Sequence, residues 1–277
     1  KRNDIDPDHI HELPSCYDES CIPDLQRYMI EPVHKHGGLI CAQPYYVHDW
    51  KPDAETPEGP YGPSDIAILK FMGGFRAMTL EQIEAFKQQY FNAARVCKEA
   101  GFDAIEVMAG VGGILSRFMA LATNNRTDEY GGSLENQTRI LREVVEALRA
   151  ACGRDFPLMF RISLEEYIGR EGYHADTGIQ ICQMLASWGV DAINVTASGT
   201  DSKLSQSVEP MYYPQGWRKH LPKAVKRTVP LPVVSVALIR DPAYGEKLLE
   251  EGVLDFVASA RSHLADPDWG NKARQGR

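Results

Sequence analysis

A chain of 277 residues that is 43% hydrophobic and 25% charged has an ordinary globular composition and is long enough for one large α/β domain. Its net charge of −8 and pI near 5.5 argue against a nucleic-acid or anionic-membrane partner. No apolar run approaches the roughly 18 residues of a membrane span, and no CxxC pair or helical histidine pair marks a disulfide scaffold or a metal site among the six cysteines and eight histidines.

In chain order, 22–36 reads as a helix and 38–43 as a short buried strand. A Pro- and Gly-rich loop covers 44–75. Thr79 then caps a helix, with Gln82 at capping-box spacing and Gly101 as its stop. Further strands are expected over 104–107, 158–162, 192–196, 232–236 and 256–259. Helices are expected between them, over 134–151, 177–188, 217–227 and 242–251. The strand runs are continuously apolar rather than alternating, as parallel strands covered on both faces require. Strand–helix alternation of this length predicts a parallel α/β fold.

Six evenly spaced strands carry no GxGxxG turn of a doubly wound sheet. Gln43, the 108–113 segment, Arg161 and Arg261 all fall at strand C-termini, the catalytic face of a TIM (β/α)8 barrel. A barrel of eight strands would need about two more before Lys1, so the first strands are expected to be missing from this segment. Both ends read as cut, and 1–277 is expected to form one barrel domain, incomplete at its N-terminus. No signal-peptide pattern opens the chain, and a cytoplasmic protein is expected.

The most specific feature is Asn125-Arg126-Thr127-Asp128-Glu129-Tyr130-Gly131-Gly132-Ser133-Leu134-Glu135-Asn136. Long ordered loops in compact domains are usually functional. With Gln43 in Cys41-Ala42-Gln43, Arg161 after four apolar residues, and Ala258-Ser259-Ala260-Arg261 followed by Ala265-Asp266-Pro267-Asp268, the segment resembles the Old Yellow Enzyme family of FMN-dependent oxidoreductases. Met108 and the Ala260-Arg261 pair place it near the 2,4-dienoyl-CoA reductase, 2-enoate reductase and trimethylamine dehydrogenase branch. The resemblance implies that Arg161 faces the flavin pyrimidine, where the reduced ring gathers negative charge. It implies that Gln43 bonds the flavin edge, that Arg261 and the backbone at Ala237 and Ala260 hold the phosphate, and that Asn125–Asn136 is structural, with Arg126, Asp128 and Glu135 free to pair within the loop. It also implies NAD(P)H as electron donor, and a 4Fe–4S cluster and FAD in a longer protein.

The departures are as informative. Where the branch with paired oxygen-binding side chains and a proton-donating tyrosine carries those groups, this chain has Met108, Val111 and Gly113. Methionine and valine do not polarise a carbonyl and glycine donates no proton. The loss enlarges the substrate space at Met108, Val111, Gly113 and Tyr212, which suits a bulky or polycyclic substrate. Replacement acids are Tyr45, Tyr46 and Tyr213, with Tyr167 and His48 behind them. The expected activity is reduction of an activated C=C bond in an enone, enoate or enoyl-CoA. The alternative is oxidative N-demethylation or amine dehydrogenation, in which Tyr45, Tyr46 and Trp50 would form a cation-binding bowl. A flavin-binding scaffold without catalysis is a third reading. The only partner expected is a small-molecule substrate; no nucleic acid or membrane is, and a homo-oligomer is left open.

Overall fold

The computed structural model describes residues 18–44, 61–66, 75–169, 172–199, 209–236 and 238–277. Its main sheet has six parallel strands: β1 (Cys41–Ala42), β4 (Ala104–Ala109), β5 (Leu158–Ser163), β6 (Ala192–Thr196), β7 (Val233–Ser235) and β8 (Phe256–Val257), hydrogen-bonded in that order. The sheet curls into an arc of a (β/α)8 barrel with helices on its outer face. A second, two-stranded parallel sheet pairs β2 (Tyr61–Gly62) with β3 (Arg76–Ala77), inside the stretch that composition reads as plain loop. Its strands are two residues long, too short for any hydrophobic period to mark them.

The sheet has two faces with different work. Ile105, Val107 and Ala109 of β4, Leu158, Phe160 and Ile162 of β5, and Ile193 and Val195 of β6 are fully buried against the helix layer, which accounts for the apolar runs. The alternate positions face the barrel interior. The ladder sets Met108 opposite Arg161, Arg161 opposite Asn194 and Asn194 opposite Val234. One interior row therefore carries a thioether, a guanidinium and a carboxamide side by side.

The Leu80–Ala100 helix begins with the reciprocal box expected of its sequence. Thr79 Oγ1 accepts from Gln82 N at 3.2 Å, and Thr79 N donates to Gln82 Oε1 at 2.9 Å. It ends at Gly101, whose φ of 101° suits glycine. This helix packs on the Leu134–Cys152 helix, and Lys87 and Tyr130 meet at Glu143 between them. Helical structure over 22–34 contains a π turn at Gln26–Ile30, ahead of Pro32. The helix expected over 217–227 begins only at His220, because Gly216 turns with φ 65° and Trp217 joins an aromatic row. The other expected helices and strands fall within a few residues of their bounds, while the short helices Ile114–Met119, Arg261–Ala265 and Trp269–Arg274 are not among those expected.

The Asn125–Asn136 segment is a closed hydrogen-bond network. Arg126 Nε donates to Asp128 at 2.9 Å, while its Nη1 reaches the carbonyls of Pro63 and Met78 at 2.8 and 2.7 Å. Asn124 Nδ2 donates to the carbonyls of Phe118 and Tyr130, and Asp128 accepts from Tyr130 N. The Arg126 bonds hold the Asp128 carboxyl below its usual range. A Cβ at Gly131 would run into the Arg126 carbonyl, so glycine is required there. Glu135 takes no part in this pairing; Asn136 Nδ2 closes the loop onto Gly131 O instead.

Candidate flavin site

A cavity of about 350 Å³ opens at the C-terminal ends of β4 to β8. Met108, Val111, Arg161, Ala260 and Arg261 line it together, brought from distant parts of the chain. Gln43 stands at the end of β1, where its Nε2 donates to Glu106 Oε1 at 2.5 Å. Gly113 begins the short helix that follows β4 and does not line the cavity. Tyr212 is 77% exposed and stacks on Tyr213 at 5.1 Å; neither lines the cavity. Tyr45, Tyr46, His48, Trp50 and Ala237 lie outside the described residues.

Two lining residues hold left-handed backbone without being glycine: Val111 at φ 53° and Leu238 at φ 56°. A β-branched residue there is strained. At Val111 the strain is held by its N–H, which donates to Ser163 Oγ at 3.1 Å. Gly110 beside it lies so close to β5 that a Cβ would come within 2.9 Å of Ser163 Oγ. The loop after β4 is thereby pinned against β5 and presents Val111 to the cavity.

The electrostatics are lopsided. Among the described residues, Arg161, Arg218, Arg240 and Arg261 line the cavity against one carboxylate, Glu209. Glu209 is buried and ion-paired with Arg218. Arg261 donates to the Glu209 carbonyl at 2.7 Å and to its Oε2 at 3.2 Å, and Trp217 Nε1 donates to Oε1. Burial brings the Arg218 guanidinium down to about 10, with Arg161 and Arg261 adding to the effect; it stays charged at neutral pH. Arg161 has a buried Nε with no hydrogen-bond partner, and so has Arg218. Buried donors are nearly always paired in a finished site. Both side chains line the cavity, where an anionic or carbonyl-bearing ligand has access to them.

An aromatic row borders this cluster. Tyr167 stacks on Trp217 at 5.9 Å, Trp217 meets Tyr213 at 4.8 Å, and Arg218 lies 5.2 Å over the Trp217 ring. The Tyr167 hydroxyl is buried without a partner, and burial raises its pKa.

FMN fits these residues. Its phosphate needs a cation and free N–H groups at the ends of the last two strands, where Arg261 and the Ser259–Ser262 backbone lie. Its pyrimidine needs a cation where the reduced ring gathers charge, and Arg161 offers an unengaged one. Residues 4–277 match the NADH:flavin oxidoreductase / NADH oxidase family. The chain belongs to this family, that of the Old Yellow Enzymes.

A curated relative, NADH oxidase of Thermoanaerobacter brockii, is 36% identical over 90% of this chain and 38% of its own length. The solved 2-naphthoyl-CoA reductase in complex with 2-naphthoyl-CoA superposes with a TM-score of 0.85 at 28% identity, covering 94% of this chain and 41% of that one. Histamine dehydrogenase from Rhizobium sp. 4-9 gives 0.83 at 33% identity, covering 94% and 38%. The chain thus spans about two fifths of the length of these relatives. No helix among the described residues is long and apolar enough to cross a membrane.

Sequence reasoning missed Glu106, Asn194, Glu209 and Arg218. Glu106 carried a signal: a charged residue inside an apolar strand run, two positions before Met108. Arg218 and Glu209 carried none, since nothing local marks a partner met only after folding.

Proposed function

We propose that this chain is the FMN-binding barrel of a reductase acting on activated C=C bonds of enones, enoates or enoyl-CoA thioesters, with NAD(P)H as electron donor. The observation that carries this reading is the cavity's charge. Among the described residues, four lining arginines face a single glutamate, and a dianionic phosphate would still leave that wall positive. Such a wall favours neutral and anionic substrates and repels an ammonium.

When bound, the flavin supplies hydride at N5. The chain's own residues do the rest. Arg161 places positive charge against the pyrimidine side. Arg261 turns from Glu209 to phosphate oxygens, while Arg218 keeps Glu209 neutralised. Met108 and Val111 form an apolar wall that excludes water and accepts a bulky ring, leaving carbonyl polarisation to other groups. A proton donor has to hold its proton at neutral pH. Tyr167 meets that condition with its raised pKa and unpartnered hydroxyl, although, like Tyr213, it stands beside the cavity rather than in its lining. Tyr213, Tyr45 and Tyr46 are its competitors. The relatives' greater length accommodates the 4Fe–4S cluster and FAD that the resemblance implies, and these belong to the same proposal.

Amine oxidation is the second reading, favoured by the Tyr167–Trp217–Tyr213–Tyr212 aromatic row, since ring faces attract ammonium groups. Arg218 already lies over Trp217, which counts against a second cation there. An anaerobic absorbance titration separates the two readings. NADH or NADPH should bleach the flavin and an enone, enoate or enoyl-CoA should restore it. Bleaching by an N-methylated amine, with no alkene able to restore colour, would sink the reductase reading.

A further inference from the structure

Glu106 is 7% exposed on the interior face of β4. One oxygen accepts from Gln43 Nε2 at 2.5 Å and the other from Asn194 Nδ2 at 2.8 Å. Among the described residues no lysine, arginine or histidine pairs with it. A buried carboxylate without a cation is costly, by several kcal/mol before its hydrogen bonds are counted. A serine or an amide would link β1 and β6 at less expense, so the carboxylate's retention points to what it alone does.

An ionised carboxylate only accepts, whereas a carboxamide both donates and accepts. Facing Glu106, both Gln43 and Asn194 must turn their NH2 groups towards it. Both therefore turn their carbonyl oxygens away. Gln43 Oε1 has no hydrogen-bond partner among the described residues, and Asn194 Oδ1 is buried and unpaired. In the ladder, Asn194 stands opposite Arg161, whose Nε is unpaired as well. The pyrimidine edge of a flavin offers one fixed donor, N3–H, between two carbonyl acceptors.

We infer that Glu106 is a positioning residue that locks Gln43 as a hydrogen-bond acceptor for the flavin N3–H. It does so by removing the alternative amide orientation, which would set an NH2 group against that donor. Asn194 is locked by the same carboxylate and shares its field. This inference rests on the flavin reading above and goes beyond it in assigning the orientation of the amide and the residue that sets it.

The test follows the N3–H proton of FMN labelled with 15N at N3, bound to the intact protein, with FMN affinity measured alongside by fluorescence quenching. In the wild type the N3–H signal should be protected from solvent exchange. Glu106→Met, which keeps side-chain volume and removes both acceptors, should speed exchange at least about tenfold, the scale of one lost buried hydrogen bond. Gln43→Ala, at an exposed strand end where folding is not at stake, should do the same, and the double variant should add nothing further. Glu106→Gln keeps one acceptor and should fall between. A Glu106→Met protein as protected as wild type, or a Gln43→Ala protein that keeps its protection, would overturn the inference; the second result decides the matter even if Glu106→Met fails to fold. Failure of the wild type to bind FMN would instead remove the flavin reading itself.

Discussion

Two polar regions of this barrel are built to opposite rules. In the Asn125–Asn136 segment, Arg126 reaches Asp128 and the carbonyls of Pro63 and Met78, and the neighbouring amide and carboxyl groups close among themselves. At the strand ends, Arg161, Arg218 and Asn194 each keep a buried polar atom without a partner, and Val111 and Leu238 hold strained backbone. A satisfied network rigidifies; an unsatisfied one is unfavourable until a ligand completes it. The contrast sets a closed structural segment against cavity-lining side chains that keep polar atoms open to a ligand.

The largest expected effect attacks the satisfied side. Arg126→Ala removes the Arg126 donor from the carbonyls of Pro63 and Met78 and the cation paired with Asp128, which keeps the bond from Tyr130 N. It should lower stability by about 3 kcal/mol, read as a shift in the urea midpoint with unchanged slope. A loss below about 0.5 kcal/mol would mean that the network is ornamental.

The next effect sharpens the contrast through pH. Glu166 lies in the loop after β5, is 1% exposed, and accepts from Tyr173 N at 3.0 Å. Burial pushes its carboxyl up to about 7 from an ordinary 4.5. A carboxyl raised in this way binds its proton more tightly in the folded state. Its contribution to stability is complete below pH 4.5 and is lost as the pH rises through about 7. Glu166→Gln, fixed in the neutral form, should match wild type at pH 4 and exceed it by about 1–3 kcal/mol at pH 8. Equal stability of the two proteins at both pH values would contradict a buried-charge penalty.

Smaller still is the strain at the cavity. Val111→Gly should raise stability by about 1 kcal/mol by relieving left-handed backbone, with thermal unfolding as the readout. Destabilisation would show that the valine side chain contributes more than its backbone loses. Arg161→Met should change stability least, within about 0.5 kcal/mol, because Arg161 makes no side-chain hydrogen bond among the described residues. A loss comparable with that of Arg126→Ala would erase the distinction between the two regions.

Much of the fold was legible in the chain. The apolar runs of β4, β5 and β6 reflect burial on the helix side, and the Thr79–Gln82 box and Gly101 mark both ends of one helix by local chemistry alone. The interior row was legible only in part. Arg161 announces itself as a charge after four apolar residues. The Glu209–Arg218–Arg261 cluster joins three positions through tertiary contact, without any period or spacing to reveal it. The π turn at Gln26–Ile30 and the β2–β3 pair escaped for the opposite reason: they are too short for a pattern to form. Tyr212, read as a substrate contact, is exposed because the turn after Pro210 directs it outward, and no sequence signal fixes the direction of a turn.

The most direct test of the central claim is a fluorescence titration of FMN with the wild-type protein and with Arg161→Met and Arg261→Ala. The account predicts tight, saturable quenching by the wild type and affinity about ten- to a hundredfold weaker for each variant, the scale of a charge-assisted hydrogen bond. Absence of binding by the wild type, or binding by both variants as tight as its own, would contradict the assignment of this cavity to a flavin.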